Sequence, residues 1–320
     1  MAANKSTDSG LSPELQTWLD KQLLSRLLPR LVYMLFGQAK PMPRNSGQTV
    51  NFRRFSSLTA ATTALSEGVT PTGDTLTVTA ITATPLQYGN FIQITDYVDF
   101  TSIDPILTET ARLLGENAAE VMDLVVRDVL AAGTTVAYAN AVASRVLVAS
   151  TDKINATDLR KIVRTLQTNK AKKMSEILNA STGVGTKPVA AAYYAIIGPK
   201  THYDLKGVTN FQPVETYGTR DGVLENEVGA YEDIRFILSD NAKVYAGAGV
   251  GGAVDVYAML VFARDAYGIV APTAIETIAK PFGSGDDPLN QRASLGWKGF
   301  FTAVRLQELA MLRYEHAVTA

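Results

Sequence analysis

Cysteine is absent from this 320-residue chain, so neither a disulfide nor a thiolate metal centre belongs to its chemistry. A reducing cytoplasm of synthesis is compatible with that. The two histidines, His202 and His316, are far apart in sequence and lack a neighbouring acidic cluster, which argues against a metal site. No P-loop, G-x-S-x-G elbow or H-E-x-x-H motif occurs, and no acid–base constellation is visible. The opening MAANKSTDSG lacks the apolar core of a signal peptide, and no apolar run approaches the roughly 20 residues that span a bilayer. Neither secretion nor membrane insertion is expected. Strong net charge is missing as well: the formal charge is -1, with 46% hydrophobic residues, which suits a soluble folded chain long enough for two packed domains.

What the sequence does have is one long helical pattern, DPILTETARLLGENAAEVMDLVVRDVLAAG, Asp104 to Gly133. Asp104 can cap its free amides and Pro105 suits the first helical position, where no amide donor is needed. Gly133 is expected to end it in the left-handed conformation. Leu107, Ala111, Leu114, Ala118, Val121, Val125 and Val129 recur at spacings of three and four and predict a packed face. Glu109, Arg112, Glu116, Glu120, Asp123 and Arg127 follow the same rhythm and predict a face turned to water or to a charged partner. At 1.5 Å per residue the helix is a rod of roughly 40 Å, the spine of something extended.

Ahead of it, Ser12 and Pro13 open a shorter helix with Leu15, Trp18, Leu19, Leu23 and Leu27 on one face until Pro29 interrupts. The segment LLSRLLPRLVYMLFGQ carries more apolar surface than such a helix can bury, so it docks on something else. Up to Ala60 there are eight Lys or Arg against three acids, a balance of +5, whereas the spine has six acids against two Arg, a balance of -4. Attraction between arm and spine, attraction to nucleic acid and ordinary solvated charge are all open readings. From Gly47 the period becomes two. TVNFRRF places Val50, Phe52 and Arg54 on one side and Asn51, Arg53 and Phe55 on the other, neither a clean buried face. A small polar stretch with Gly68, Pro71 and Gly73 follows, then TLTVTAITAT, whose apolar residues change side near Ile81 and suggest a bulge or a twist. Strand, flexible tip and strand predict an extended hairpin that needs a neighbour, and YGNFIQITDYVDF returns the chain to the spine.

Beyond Gly133 an α/β region is expected: a helix in ATDLRKIVRTLQTNKAKK with Leu159, Ile162, Val163 and Leu166 inward, and a buried strand in VAAAYYAIIG before a helix near Pro199. Short strands should follow at Ile234 to Leu238 and Val254 to Ala263. From Ile275 the pattern is strand-like again and should return to a sheet beside the spine. GAGVGG, Gly247 to Gly252, fits a dinucleotide loop, but the strand-like VDVYAMLVFA after it favours a flexible turn, since a pyrophosphate needs a helix N-terminus there. Asp286 and Asp287 before Pro288 are turn residues or a cation site, and the Asn155 and Asn179 sequons mean little without secretion.

The order of LLSRLLPRLVYMLFGQ, GQTVNFRRFSSL, LSEGVTPTGDTLTVTAITATPLQYGNFIQITD, the spine and DPLNQRASLGWKGFFTAVRL closely resembles the major capsid proteins of tailed bacteriophages, in particular those of the coliphage N-four type. The resemblance spans roughly residues 20 to 316 and is weakest between about 135 and 275. It implies the α+β fold shared with herpesvirus capsid floor domains and encapsulins. Its parts would be an N-terminal arm (1–47), an extended loop (48–98), a peripheral domain with the spine (99–133 and 271–320) and an axial domain (134–270). It further implies pentamers and hexamers of an icosahedral shell in the virion, subunits made in the bacterial host cytoplasm and packaged double-stranded DNA on the inner face. Portal, scaffolding and decoration proteins would be separate chains, with no cofactor and no catalytic residue. A protein-loading encapsulin shell and a nucleotide-dependent α/β enzyme using GAGVGG are the alternatives. For contacts between subunits, Arg53 and Arg54 of the hairpin against Glu116, Glu120 and Asp123 of the spine are the candidates.

Overall fold

The computed structural model describes residues 18–19, 21–23, 31–43, 47–56, 58, 60, 62–65, 67–68, 70, 73–101, 106–174, 191–217, 224–271, 275–283 and 289–319. Ser12, Pro13, Asp104, Pro105, Asn179, Asp286 and Asp287 lie outside them, so the expected caps, one sequon and the acidic turn do too.

Among the described residues two large sheets organise the chain, with a separate two-stranded hairpin beside them. The smaller has five strands: β1 (Gln38–Pro41), β12 (Tyr267–Ala271), β14 (Arg292–Arg305) and β13 (Glu276–Lys280) in order, with β4 (Leu86–Thr95) also on β14. The larger has eight, in the order β5 (Val136–Tyr138), β15 (Met311–His316), β11 (Val256–Phe262), β6 (Tyr193–Ile197), β9 (Ile234–Leu238), β8 (Glu227–Tyr231) and β7 (Gln212–Pro213), with β10 (Val244–Tyr245) on β11. Short α1 (Asp96–Thr101) leads from β4 towards the 26-residue α2 (Ile106–Ala131), the expected spine. Two further helices, α3 (Ala156–Thr168) and α4 (Pro199–Lys206), belong with the larger sheet.

The spine joins two cores. Along its first half Ala111, Leu114, Ala118, Ala119 and Met122 pack with Leu19 and Leu23 of the arm and with Leu295, Trp297 and Phe301 of β14. Along its second half Val126 and Leu130 enter a larger cluster with Val32, Tyr33, Phe36 and the strands of the larger sheet. Being covered from two directions, the helix buries more than one stripe. Val121 and Val125 are only half-buried, and Met122 and Val126 beside them are the enclosed residues. Gly115 explains an otherwise unfavourable mid-helix glycine: a Cβ there would stand 2.4 Å from the Leu23 carbonyl oxygen, so the arm's backbone rests directly on the helix.

The helix does not end as expected. Gly133 lacks a positive φ and is buried. Two arginines from the end of the chain hold the orphan carbonyls instead: Arg305 Nη1 donates to Val129 O at 3.1 Å, and Arg313 Nη1 donates to Ala131 O and, at 3.1 Å, to Gly133 O. Glu308 accepts from the Thr134 amide at 3.2 Å.

α3 follows its sequence closely. Leu159, Ile162, Val163 and Leu166 are buried, and Asn155, one of the two sequon asparagines, is its N-cap, accepting from the Asp158 amide at 2.8 Å. The last strand corrects an expectation. Period two identifies Met311 to His316 as strand, but an alternating pattern does not say which sheet it enters; after the turn at Glu308–Ala310 the strand leaves the spine-side sheet and inserts between β5 and β11 of the larger one.

Candidate subunit interface

The hairpin is built from β2 (Val50–Phe55) and β3 (Val78–Ala83), antiparallel from Val50↔Ala83 to Phe55↔Val78 without a break, so of the two expected irregularities, bulge or twist, the bulge is absent from the paired residues. One face is cleaner than alternation suggested. Val50, Phe52 and Ala83 are buried with Val270 and Leu306, because the Phe52 ring covers Gly268 of β12, where a Cβ would come within 2.6 Å of it. Arg54 lies on this inward face and donates from Nη1 to Leu306 O of its own chain at 3.2 Å. It therefore tethers the hairpin to its own sheet, while the residue as a whole stays exposed. Arg53 is exposed on the opposite face, and Phe55, Leu58, Leu65, Leu76 and Val78 are exposed beyond it.

The spine candidates separate in the same way. Glu120 is exposed and Glu116 half-buried, with exposed Leu113 near them on the helix. Asp123 is fully buried, against expectation. Its Oδ1 accepts from the Val32 and Tyr33 amides at 3.0 and 2.8 Å, and its Oδ2 from Asn241 Nδ2 at 3.4 Å. It is a clasp between arm and spine, out of reach of a partner subunit. Burial pushes its carboxyl up to about 6, against the amide hydrogen bonds and the Arg127 charge that favour the ionised form. Arg127 likewise turns inward, donating to Asn241 O at 3.0 Å and pairing with Asp128.

A second surface was not singled out in the sequence. β4 is exposed along nearly all its length, and α1 after it buries nothing: Tyr97 is 73% and Phe100 89% exposed. On the face of β13, β14 and β4 turned away from the spine lies an open groove of about 570 Å³ lined by Phe91, Ile278, Lys280, Gly296 and Lys298. Gly296 leaves its floor without a side chain; a Cβ there would meet Phe91 Cβ at 2.8 Å. The signal for this surface was the aromatic density of YGNFIQITDYVDF, a segment too exposed to be a core strand.

The weak motifs resolve structurally. GAGVGG is a turn with positive φ at Gly247, Gly251 and Gly252, pinned by Val250 N donating to Val148 O at 2.9 Å and followed by β11, a strand. His316 is fully buried and kept neutral, its pKa lowered to about 4 by burial, with Thr201 Oγ1 3.4 Å away. Among the described residues no three His, Cys, Asp or Glu side chains gather as a metal site, and no helix is long and apolar enough to cross a membrane.

A clasped arm, a hairpin seated at its base and a short helix with exposed rings leave apolar surface uncovered in the single chain. Residues 77–314 match the phage capsid protein family. The chain belongs to that family. The fold agrees over its whole length: the capsid of Ralstonia phage GP4 superposes with a TM-score of 0.74 at 10% identity, covering 99% of this chain and 96% of that one. The head structure of Helicobacter pylori bacteriophage KHP40 gives 0.64 at 14% identity over 88% and 87%. A virus-like particle from Pyrococcus furiosus gives 0.52 at 12% identity over 94% and 99%, so shells other than phage heads share the fold and the family match favours a head. Comparison with curated proteins gives no match. This capsid protein is thus a major capsid protein of a phage head, a structural shell subunit of the virion, and GAGVGG is a turn within it.

Proposed function

We propose that this capsid protein assembles as pentamers and hexamers around double-stranded DNA by laying its β2–β3 hairpin over an adjacent subunit. The observation that carries this reading is the hairpin's division into a base buried on its own chain at Val50 and Phe52 and an outer part with Phe55, Leu58, Leu65 and Leu76 in solvent. Arg53, exposed and facing away from its own sheet, is the hairpin cation available to a neighbour, with Glu120 and Glu116 of the spine as its acidic counterparts. Many moderate contacts of this kind, summed over a closed symmetric shell, stabilise it without disulfides.

The arm and hairpin would be separate parts, the spine and smaller sheet a peripheral domain, and the larger sheet an axial domain that also takes in the last strand, β15. Synthesis in the host cytoplasm suits a chain without cysteine. Electron microscopy of the purified protein, with a nuclease-protection assay on particles from infected cells, tests the reading. Closed particles with protected duplex DNA are expected; unassembled protein, or particles holding protein cargo, would overturn it.

A further inference from the structure

We propose that α1 of one copy docks in the glycine-floored groove on the smaller sheet of a second copy, a head-to-tail contact that rests on the shell reading. α1 is six residues, DYVDFT, with no buried residue in its own subunit. A helix of that length gains little from its own hydrogen bonds, and its apolar side chains stay in solvent within one subunit. The apolar residues it offers are Tyr97, Val98 and Phe100, and Asp96 and Asp99 make it acidic.

The groove is complementary in both respects. Phe91 and Ile278 are its exposed apolar walls, Phe300 continues the same face, and the bare backbone at Gly296 lets Phe91 lie directly on the strand. Lys280 and Lys298 stand on its rim, and Lys298 also pairs with Glu276 at 3.8 Å. Acid with aromatics on one patch and lysines around an apolar floor on another, both on one chain, make a heterologous contact, which closes into rings when the rotation permits. The occupant is taken to be α1 and not the hairpin tip because α1 presents preformed rings next to paired acids, whereas the tip offers scattered leucines.

The absence of cysteine provides the test, since introduced pairs are the only thiols present. Phe100→Cys with Ile278→Cys in one chain should give, on oxidation of assembled shells, a ladder of covalent oligomers on a non-reducing gel, because a disulfide needs Cα atoms within about 7 Å. Mixed single variants should give dimers only. In parallel, Asp96→Lys with Asp99→Lys should lower particle yield about tenfold or more, and adding Lys280→Glu with Lys298→Glu should restore most of it. Shells that form but cross-link instead between Leu65→Cys and Ile278→Cys would give the groove to the hairpin and overturn the proposal. So would normal assembly by the Asp96/Asp99 variant. Failure of the unmodified protein to form shells would count against the shell reading itself.

Discussion

β11 and β4 are both strands rich in apolar residues, yet every residue of β11 is buried within its own subunit while β4 is exposed almost throughout. The first is central in the larger sheet, flanked by β15 and β6; the second is paired on β14 along one edge, and its outer side chains meet solvent. Apolar burial within one chain stabilises a subunit, whereas apolar surface left outside on an ordered strand stores association free energy. The contrast separates residues that fold this capsid protein from residues that assemble it.

The strongest break in that contrast is at Val261, fully buried at the centre of β11. Val261→Asp places an unpaired carboxylate in the core and should abolish soluble folded protein, checked by circular dichroism and size exclusion. Next is the clasp. Asp123→Ala leaves the Val32 and Tyr33 amides without their acceptor and should cost about 2–4 kcal/mol at neutral pH, measured by denaturant unfolding. Because the folded carboxyl is raised to about 6, the folded state binds its proton more tightly than the unfolded chain does. This group's stabilising contribution is therefore full below about pH 4, declines as pH rises to about 6 and is flat above. Asp123→Asn, which keeps an acceptor and removes the charge, should flatten that stretch of the stability–pH curve.

A smaller effect is expected at Gly115. Gly115→Ala gains helix propensity but pushes on the Leu23 carbonyl, so a net loss of about 1–2 kcal/mol with easier proteolysis of the arm is expected. At the assembling extreme, Phe91→Ser and Arg53→Glu should each shift subunit stability by less than about 0.5 kcal/mol while reducing particle yield, seen by comparing thermal unfolding with sedimentation of shells. An Arg53→Glu defect repaired by Glu120→Lys would place the two residues together; normal assembly by Arg53→Glu would return Arg53 to the solvated surface.

Much of the fold was legible in local pattern. The spine, α3 and the hairpin strands have periods of 3.6 and 2.0 that local side-chain geometry imposes whatever surrounds them, and the chain order of these parts carried the family resemblance. Periodicity assumes one buried side per element, and here it failed where an element is covered twice. Asp123 sits on the polar rhythm of the spine yet faces the arm, and Arg54 alternates correctly yet reaches back to Leu306. Gly133 had the right residue for a left-handed cap, but Arg313 and Glu308, distant in sequence, supply the termination. Sequence alone determined the main elements, their order and the hairpin, because those depend on contacts a few residues apart. Which sheet β15 joins, where the arm crosses Gly115 and which exposed rings of α1 and β4 remain without cover were decided by the tertiary structure, because each depends on groups brought together from far along the chain.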